Sequence, residues 1–181
     1  MAVESELMSA TTLLSFAEFE KLPDDDRKRE LLEGEIIVSP PPKVRHSDVA
    51  DRLYRALMPH EQSRGVVHTE TGFQLGENTW IQPDVSFIDL EHWQRSDPDD
   101  YVQGAPLIAV EVVSPSNTAY ELNRKVQLLL EHGGEEVWVV YPKTRSIWVH
   151  RRGDSKAECF TGTLTSSVLP DLRLDVGALF A

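Results

Sequence analysis

The chain has 181 residues, of which 40% are hydrophobic and 27% are charged, and this balance is typical of a soluble globular protein. Its length suits one domain with a single sizeable core. The net charge of −12 argues against a protein that binds nucleic acid through a broad basic surface, because phosphate contacts dominate that affinity. An enzyme that concentrates its positive charge in a cleft is not excluded.

The lone cysteine, Cys159, excludes an intrachain disulfide and a cysteine-based zinc site. No stretch of the sequence is long and hydrophobic enough to span a membrane. The acidic first residues are unlike a secretory signal, in which a basic segment precedes an apolar one. We therefore expect a cytoplasmic protein that does not contact membranes.

The first residues show no hydrophobic pattern, so we expect residues 1–11 to form a flexible tail before one domain over residues 12–181. Ser15 and Glu18 have the spacing of a capping box, which predicts a short helix that ends near Leu22. The sequence has no internal repeat and no low-complexity tract, which supports a single folded unit.

A β-hairpin and a longer helix are predicted next. Residues 30–38 are β-prone on both sides of Glu33-Gly34, which predicts a turn at that dipeptide. Apolar residues then recur at helical spacing over about 45–62. Three further strands are predicted in the apolar stretches at about 65–75, 81–88 and 106–113.

The second half of the chain alternates strand, helix and strand. A helix predicted over about 118–132 ends at Gly133, and β-prone segments follow at 136–141 and 146–150. The unit over 106–141 predicts a right-handed crossover between two parallel strands. Together these elements predict an α/β fold in which helices flank a central mixed sheet.

The most informative residue is a glutamate inside an apolar strand. The strand predicted over 106–113 is hydrophobic on both faces, and Glu111 shares one face with Ala109 and Val113. A carboxylate in that position is costly unless a cation or strong donors satisfy it. A metal ion and a structural ion pair would both meet this need.

Two further residues extend the pattern. Asp84 lies within the strand predicted over 81–88, and Lys125 lies at the edge of the apolar stripe of the following helix. Two carboxylates on neighbouring strands can hold Mg²⁺, which keeps water and phosphate as its other ligands, and a lysine adds positive charge. Two simpler interpretations stay open, because Asp84 after Pro83 suits a turn and Lys125 suits a surface pair with Glu121.

The sequence Pro83-Asp84, followed by Glu111 on an apolar strand, resembles the PD-(D/E)xK nuclease superfamily, although Val113 stands where most members have lysine. The wider pattern resembles the Uma2 family of restriction-type endonucleases, also called DUF820, in which the lysine is thought to have moved to the next helix. That lysine is here Lys125. The resemblance covers about residues 12–180 and includes the segments Glu30–Glu35, His46, Pro83–Val85, Glu111–Ser116, Lys125 and Glu136–Trp138.

The resemblance implies a restriction-endonuclease-like α/β core, with an N-terminal helix and β-hairpin, that carries a site for Mg²⁺ or Mn²⁺. It implies that Asp84 and Glu111 bind the metal ion, and that Lys125 positions water or stabilises phosphate. Glu30 assists this catalytic set, and His46 contacts substrate phosphate or a water on the metal. The implied reaction is hydrolysis of phosphodiester bonds in DNA, and cutting both strands of a duplex suits a homodimer.

Two departures from the family pattern are Leu129 and Tyr141, where many members carry tyrosine and aspartate. A second class of function stays open, namely a nuclease fold without catalysis that serves as an interaction or regulatory module. The net charge of −12 favours that alternative. The intact set of Asp84, Glu111 and Lys125 favours the enzyme, because a domain without catalysis has no reason to keep a buried acid cluster.

Overall fold

The computed structural model describes residues 13–23, 27–61 and 64–181. The predicted tail, residues 1–11, lies outside them. Strands in the described residues form mixed sheets that are flanked by helices, so the predicted α/β fold is confirmed. No helix within these three ranges is both long enough and apolar enough to cross a membrane.

The N-terminal helix and hairpin form as the sequence predicts. Helix α1, Phe16–Phe19, begins with the predicted capping box. Strands β1, Lys28–Leu32, and β2, Glu35–Ser39, pair antiparallel. Their turn places Glu33 at a φ of 50° and Gly34 at a φ of 87°, and two successive positive φ values suit a tight hairpin.

The remaining elements follow in chain order. The helices are α2, Val44–Leu57, α3, Leu90–Arg95, and α4, Ala119–Glu131, with short 3₁₀ turns at Met58–His60 and Gly177–Phe180. The strands are β3, Gly65–Thr69, β4, Phe73–Gly76, β5, Thr79–Ile81, β6, Val85–Asp89, β7, Val102–Gln103, β8, Ile108–Val112, β9, Glu136–Tyr141, β10, Ser146–Arg151, β11, Glu158–Phe160, β12, Thr163–Leu164, and β13, Leu174–Asp175.

Two large sheets contain most of these strands in the described part of the chain. The main sheet has the order β11-β10-β9-β8-β6-β3, and the second sheet has the order β2-β1-β5-β4-β7. Strands β8 and β9 are parallel and α4 connects them, so the predicted strand–helix–strand unit with a parallel pair is confirmed. Strands β12 and β13 form a small separate pair.

Two predicted strands divide between the sheets. The strand predicted over 65–75 becomes β3 of the main sheet and β4 of the second, and the one predicted over 81–88 becomes the end of β5 and β6. Pro83 explains the second division, because proline lacks the N–H that a continuing strand would donate. At the first division Glu70 has a φ of 50°, which interrupts the extended backbone. The strands therefore lie in two sheets instead of one central sheet.

Helices α2 and α4 pack on opposite faces of the main sheet. Within β9, Trp138 and Val140 pack with residues of α2, whereas Val137 and Val139 pack with residues of α4. Glu111 of β8 is the register partner of Val139, so it faces α4. Strand register therefore decides which side of the sheet carries the buried carboxylate.

A second buried carboxylate fastens the C-terminal segment to the main sheet. Glu136 is fully buried and accepts hydrogen bonds from Trp138 Nε1 at 2.9 Å, Ser166 Oγ at 2.8 Å and the Ser167 amide at 2.7 Å. It also pairs with Arg151 Nε at 3.2 Å. Burial opposes its ionisation, but the hydrogen bonds from Ser167 and its neighbours outweigh burial and lower the pKa of Glu136.

We expect Glu136→Ala to lower the free energy of unfolding by about 3–5 kcal/mol, because it leaves several buried donors and one charge without their partner. Urea denaturation followed by circular dichroism measures this loss. Glu158→Ala is the matched control, since exposed Glu158 contacts the same Arg151 at 2.9 Å. Its loss should cost less than about 1 kcal/mol, and equal losses in the two variants would contradict the prediction.

Candidate functional site

Glu111 is buried at the centre of the candidate site. It lies on β8 between apolar residues, and its Oε2 accepts a hydrogen bond from Lys125 Nζ at 2.7 Å. Its other oxygen, Oε1, is buried and has no hydrogen-bond partner among the described residues. The site thus contains an acceptor that has been removed from water and is left unsatisfied, which is costly in a folded protein.

Lys125 joins Glu111 to a second carboxylate. Its Nζ lies 2.9 Å from Oε1 of Glu30 on β1, and the lysine is only 7% exposed. The alternative pair with Glu121 is not formed, because the Glu121 carboxylate instead accepts hydrogen bonds from Thr118 in the capping box of α4. Burial alone would lower the pKa of Lys125, but the charges of Glu111 and Glu30 outweigh it and hold the pKa well above its usual value.

Asp84 lies directly before β6, at the point where Pro83 divides the two sheets. Val85 pairs with Val110 across β6 and β8, so one further step of this antiparallel register brings Asp84 beside Glu111. Asp84 Oδ2 accepts the Val112 amide at 2.7 Å. The two acids that the sequence singles out therefore meet on neighbouring strands.

Lys28 and His46 contact the other oxygen of Asp84. Lys28 Nζ lies 3.3 Å and His46 Nε2 lies 3.2 Å from Asp84 Oδ1. Burial favours the protonated carboxyl, but the hydrogen bond from His46 and the charge of Lys28 outweigh it, so the pKa of Asp84 lies well below its usual range. His46, expected from the sequence to contact substrate, here contacts a member of the acid cluster, which we define as Glu30, Asp84 and Glu111.

Lys28 is the site residue that sequence reasoning missed. It lies on β1 two residues before Glu30, and alternate residues of a strand share a face. This spacing indicates that Lys28 faces the same side as Glu30. Its side chain is 22% exposed, more than that of Lys125. Lys28 is therefore the more accessible of the two lysines that contact the acid cluster.

Burial is the main cause of an unusual titration at Glu111. It raises the pKa of Glu111 to about 7, against the opposing charge of Lys125, and the negative charges of Glu30 and Asp84 add to the rise. Asp84 and Glu111 thus ionise in very different pH ranges, although they are neighbours. Such a separation is typical of functional sites and also occurs in structural ion-pair networks.

One cavity of about 1010 Å³ brings the acid cluster, Lys28, His46 and Lys125 together. Its walls are three proline-containing segments, residues 39–43, 113–117 and 141–144. The lining contains as many lysine and arginine side chains as aspartate and glutamate side chains. The basic residues are Lys28, Lys43, Arg45, Lys125 and Lys143, and the acidic residues are Glu30, Asp51, Glu70, Asp84 and Glu111. The cavity is therefore near neutral, although the whole chain carries a net charge of −12.

Comparison with known proteins identifies the family. The model of the Uma2 family, described as "putative restriction endonuclease", matches residues 16–177. The chain belongs to the Uma2 family. A crystal structure from Anabaena variabilis, titled a putative nuclease belonging to DUF820, superimposes with a TM-score of 0.81 at 23% identity, covering 92% of this chain and 97% of that chain. No functionally curated protein matches the chain. Family and fold together support a nuclease.

The acid cluster of this Uma2 chain fits a divalent cation in part. Within residues 13–23, 27–61 and 64–181, no group of three or more histidine, cysteine, aspartate or glutamate side chains is arranged to hold a metal ion. Magnesium, however, is commonly held by one or two carboxylates together with water and phosphate. The unsatisfied Oε1 of Glu111, beside Asp84, is an oxygen donor of the kind that Mg²⁺ and Mn²⁺ prefer.

The raised pKa of Glu111 predicts a pH dependence of stability. The Glu111 carboxyl binds its proton more tightly in the folded chain than in the unfolded chain, so its protonation favours the folded state at low pH. This contribution to the free energy of unfolding is lost as pH rises towards 7, and above that pH the buried carboxylate is a net cost. We therefore expect Glu111→Gln to gain stability relative to wild type as pH rises from about 5 to about 8. Urea denaturation across this range measures the difference.

The matched control for this titration is Glu158→Gln, which removes an exposed carboxylate on β11. This variant measures the effect of losing one exposed carboxylate over the same pH range. A difference from wild type that does not grow with pH in Glu111→Gln would contradict the assigned titration of Glu111.

Proposed function

We propose that this Uma2-family chain is a Mg²⁺- or Mn²⁺-dependent endonuclease that hydrolyses phosphodiester bonds in DNA by means of an activated water. The observation that carries the proposal is the unsatisfied Oε1 of buried Glu111, which lies beside Asp84 on the floor of the cavity. Family membership supports the nuclease class. The metal ion and the DNA substrate are the parts that the proposal adds.

In this proposal Asp84 and Glu111 would hold the divalent cation. Such an ion supplies Lewis-acid chemistry and a lowered pKa for a water molecule, which phosphodiester hydrolysis needs at neutral pH. The pKa of about 7 means that Glu111 must lose a proton before it can serve as a ligand near neutrality. Asp84, whose pKa is far lower, is ionised throughout that range.

The surrounding side chains orient the acids and balance their charge. Lys125 stays protonated and holds Glu111 in place, while Glu30 fixes Lys125 from the second sheet. Glu30 is itself held by the Gln82 amide at 2.8 Å. Lys28, which is more exposed, lies where it can meet the negative charge of a phosphate that approaches Asp84.

A charge argument links the metal to the substrate. Among the described residues, the three carboxylates of the acid cluster face the two lysines Lys28 and Lys125. This arrangement has no surplus positive charge to attract a phosphodiester, and bringing one in would add negative charge to a poorly solvated site. A divalent cation restores the balance, so we expect Mg²⁺ or Mn²⁺ to strengthen the binding of a phosphate in the site.

The alternative function is a catalytically silent nuclease fold that acts as an interaction or regulatory module. It is favoured by the ion pairs, since Lys125 pairs with Glu30 and with one oxygen of Glu111, and Asp84 contacts Lys28 and His46. The unsatisfied Oε1 of Glu111 weighs against it, because a purely structural network would satisfy that oxygen.

The proposed cellular location and oligomeric state of the enzyme rest on sequence-based expectations. A cytoplasmic location follows from the lone cysteine and stays a prediction. A homodimer follows from duplex cleavage, in which each copy cuts one strand, and likewise stays a prediction. Sedimentation of the purified chain with and without duplex DNA would test the homodimer.

We expect Asp84→Asn and Glu111→Gln each to abolish Mn²⁺ binding in calorimetry and to slow plasmid nicking at least about 100-fold, because each removes a charged oxygen ligand. Glu158→Gln, which removes an exposed carboxylate outside the cavity lining, is the control and should match wild type in both assays. Circular dichroism checks that every variant is folded.

The two assays also separate the two candidate functions. Mn²⁺ binding and nicking that disappear together in the variants would support the nuclease. Absence of Mn²⁺ binding in the wild-type chain would contradict the proposal and favour the silent module. Nicking that persists in both variants would mean that Asp84 and Glu111 are not the metal ligands.

A further inference from the structure

We infer that the cavity accepts a single, unpaired nucleic-acid strand in preference to an intact duplex. This inference rests on the proposed nuclease function, and it goes further by naming the form of the substrate. It depends on three properties of the cavity, which are the depth of the acids, the chemistry of the walls and the distribution of positive charge.

The acids are buried, and this burial hinders the backbone of a rigid duplex more than that of a flexible strand. Side-chain exposure is 3% for Glu30, 10% for Asp84 and 9% for Glu111. A scissile phosphate must therefore enter the cavity, whose lining includes the segments 39–43 and 141–144, to approach these side chains. The volume of about 1010 Å³ is at the upper end for pockets that hold small ligands. It suits one or two nucleotides of a flexible strand.

The walls are chemically suited to bases and sugars. They are formed to a large extent by apolar side chains, and these are Pro40, Pro41, Pro42, Ala50, Val112, Val113, Pro115, Tyr141 and Pro142. A duplex presents charged phosphates on its outside and keeps its bases stacked within. An unpaired strand instead exposes base faces, which can stack on the ring of Tyr141 irrespective of sequence and bury apolar surface against the prolines.

The positive charge near the cavity is too limited for a duplex groove. Beyond the lysines that contact the acid cluster, the described lining contributes Lys43, Arg45 and Lys143. A protein that relies on phosphate contacts along a duplex needs many cations, about 6–10 in strongly salt-dependent cases, whereas a few cations can follow a short stretch of one strand. The net charge of −12 would also repel a long duplex that lay across the surface.

A single-stranded substrate changes the expectation of a homodimer. Two copies are natural for cutting both strands of a duplex, whereas one cavity suffices to cut one strand. On this inference the chain acts as one copy, and any self-association serves another purpose.

The test compares three labelled DNA substrates of about 20 nucleotides, which are a single strand, the same strand fully paired, and a duplex with a short unpaired gap. With Mn²⁺ we expect the single strand and the gapped duplex to be cut at least about tenfold faster than the paired one, since pairing hides the bases. Equal or faster cutting of the paired duplex would overturn the inference.

Binding without metal separates this inference from the proposed function. Fluorescence anisotropy without Mn²⁺ should give a Kd at least about tenfold lower for the single strand than for the duplex, because only unpaired bases can contact the apolar walls. If nothing is cut but this preference holds, the nuclease proposal fails and the inference stands. Equal Kd values for the two forms would overturn the inference whatever the cleavage result.

A variant tests the role of the walls. Tyr141→Leu keeps an apolar side chain in the lining but removes the ring, so we expect the Kd for the single strand to rise about fivefold or more. Tyr120→Leu is the control, because Tyr120 is 70% exposed on α4 and lies outside the lining. An unchanged Kd in Tyr141→Leu would overturn the assignment of the apolar walls to bases.

Discussion

The ion pairs of Lys125 hold the site together. Its ammonium joins helix α4 to Glu111 of the main sheet and to Glu30 of the second sheet, within a region where every partner is buried. Each of these charges would be too costly to bury alone, so each is tolerated only because the others are in place. The relative position of the two sheets and the geometry of the acid cluster are therefore a single constraint.

The sequence predicted the parts of the site that depend on local pattern. Glu111 stands out because it interrupts an apolar strand, and the strand–helix–strand unit around it brings Lys125 back over the same face. The family resemblance added Glu30 and His46, and the structure brings all of them into one cavity with Asp84. Patterns of burial and short connections are properties of neighbouring residues, so the sequence alone can indicate them.

The remaining features depend on contacts between distant segments. Lys28 reaches Asp84 across 56 positions of the chain. Its spacing from Glu30 places both residues on one face of β1, but that spacing does not identify Asp84 as its partner. The division of the strands between two sheets has the same origin, because Pro83 marks a break but does not say which sheet continues. The wall segments of the cavity also come from separate loops, so the burial of the acid cluster cannot be predicted from the sequence around any one of its residues.

Stability and function place opposite demands on the acid cluster. Burial makes the ion pairs of Lys125 strong and raises the pKa of Glu111 to about 7, but the same burial keeps water and phosphate away from the carboxylates. Under the proposed function, the cation and the substrate phosphate both lose water when they enter the cavity. Binding to each other must therefore compensate for the hydration that each has lost. On the inferred substrate preference, a flexible strand reaches these buried carboxylates more readily than a rigid duplex, because one strand can bend into the cavity. The burial that strengthens the ion pairs of Lys125 would thus also select the form of the substrate.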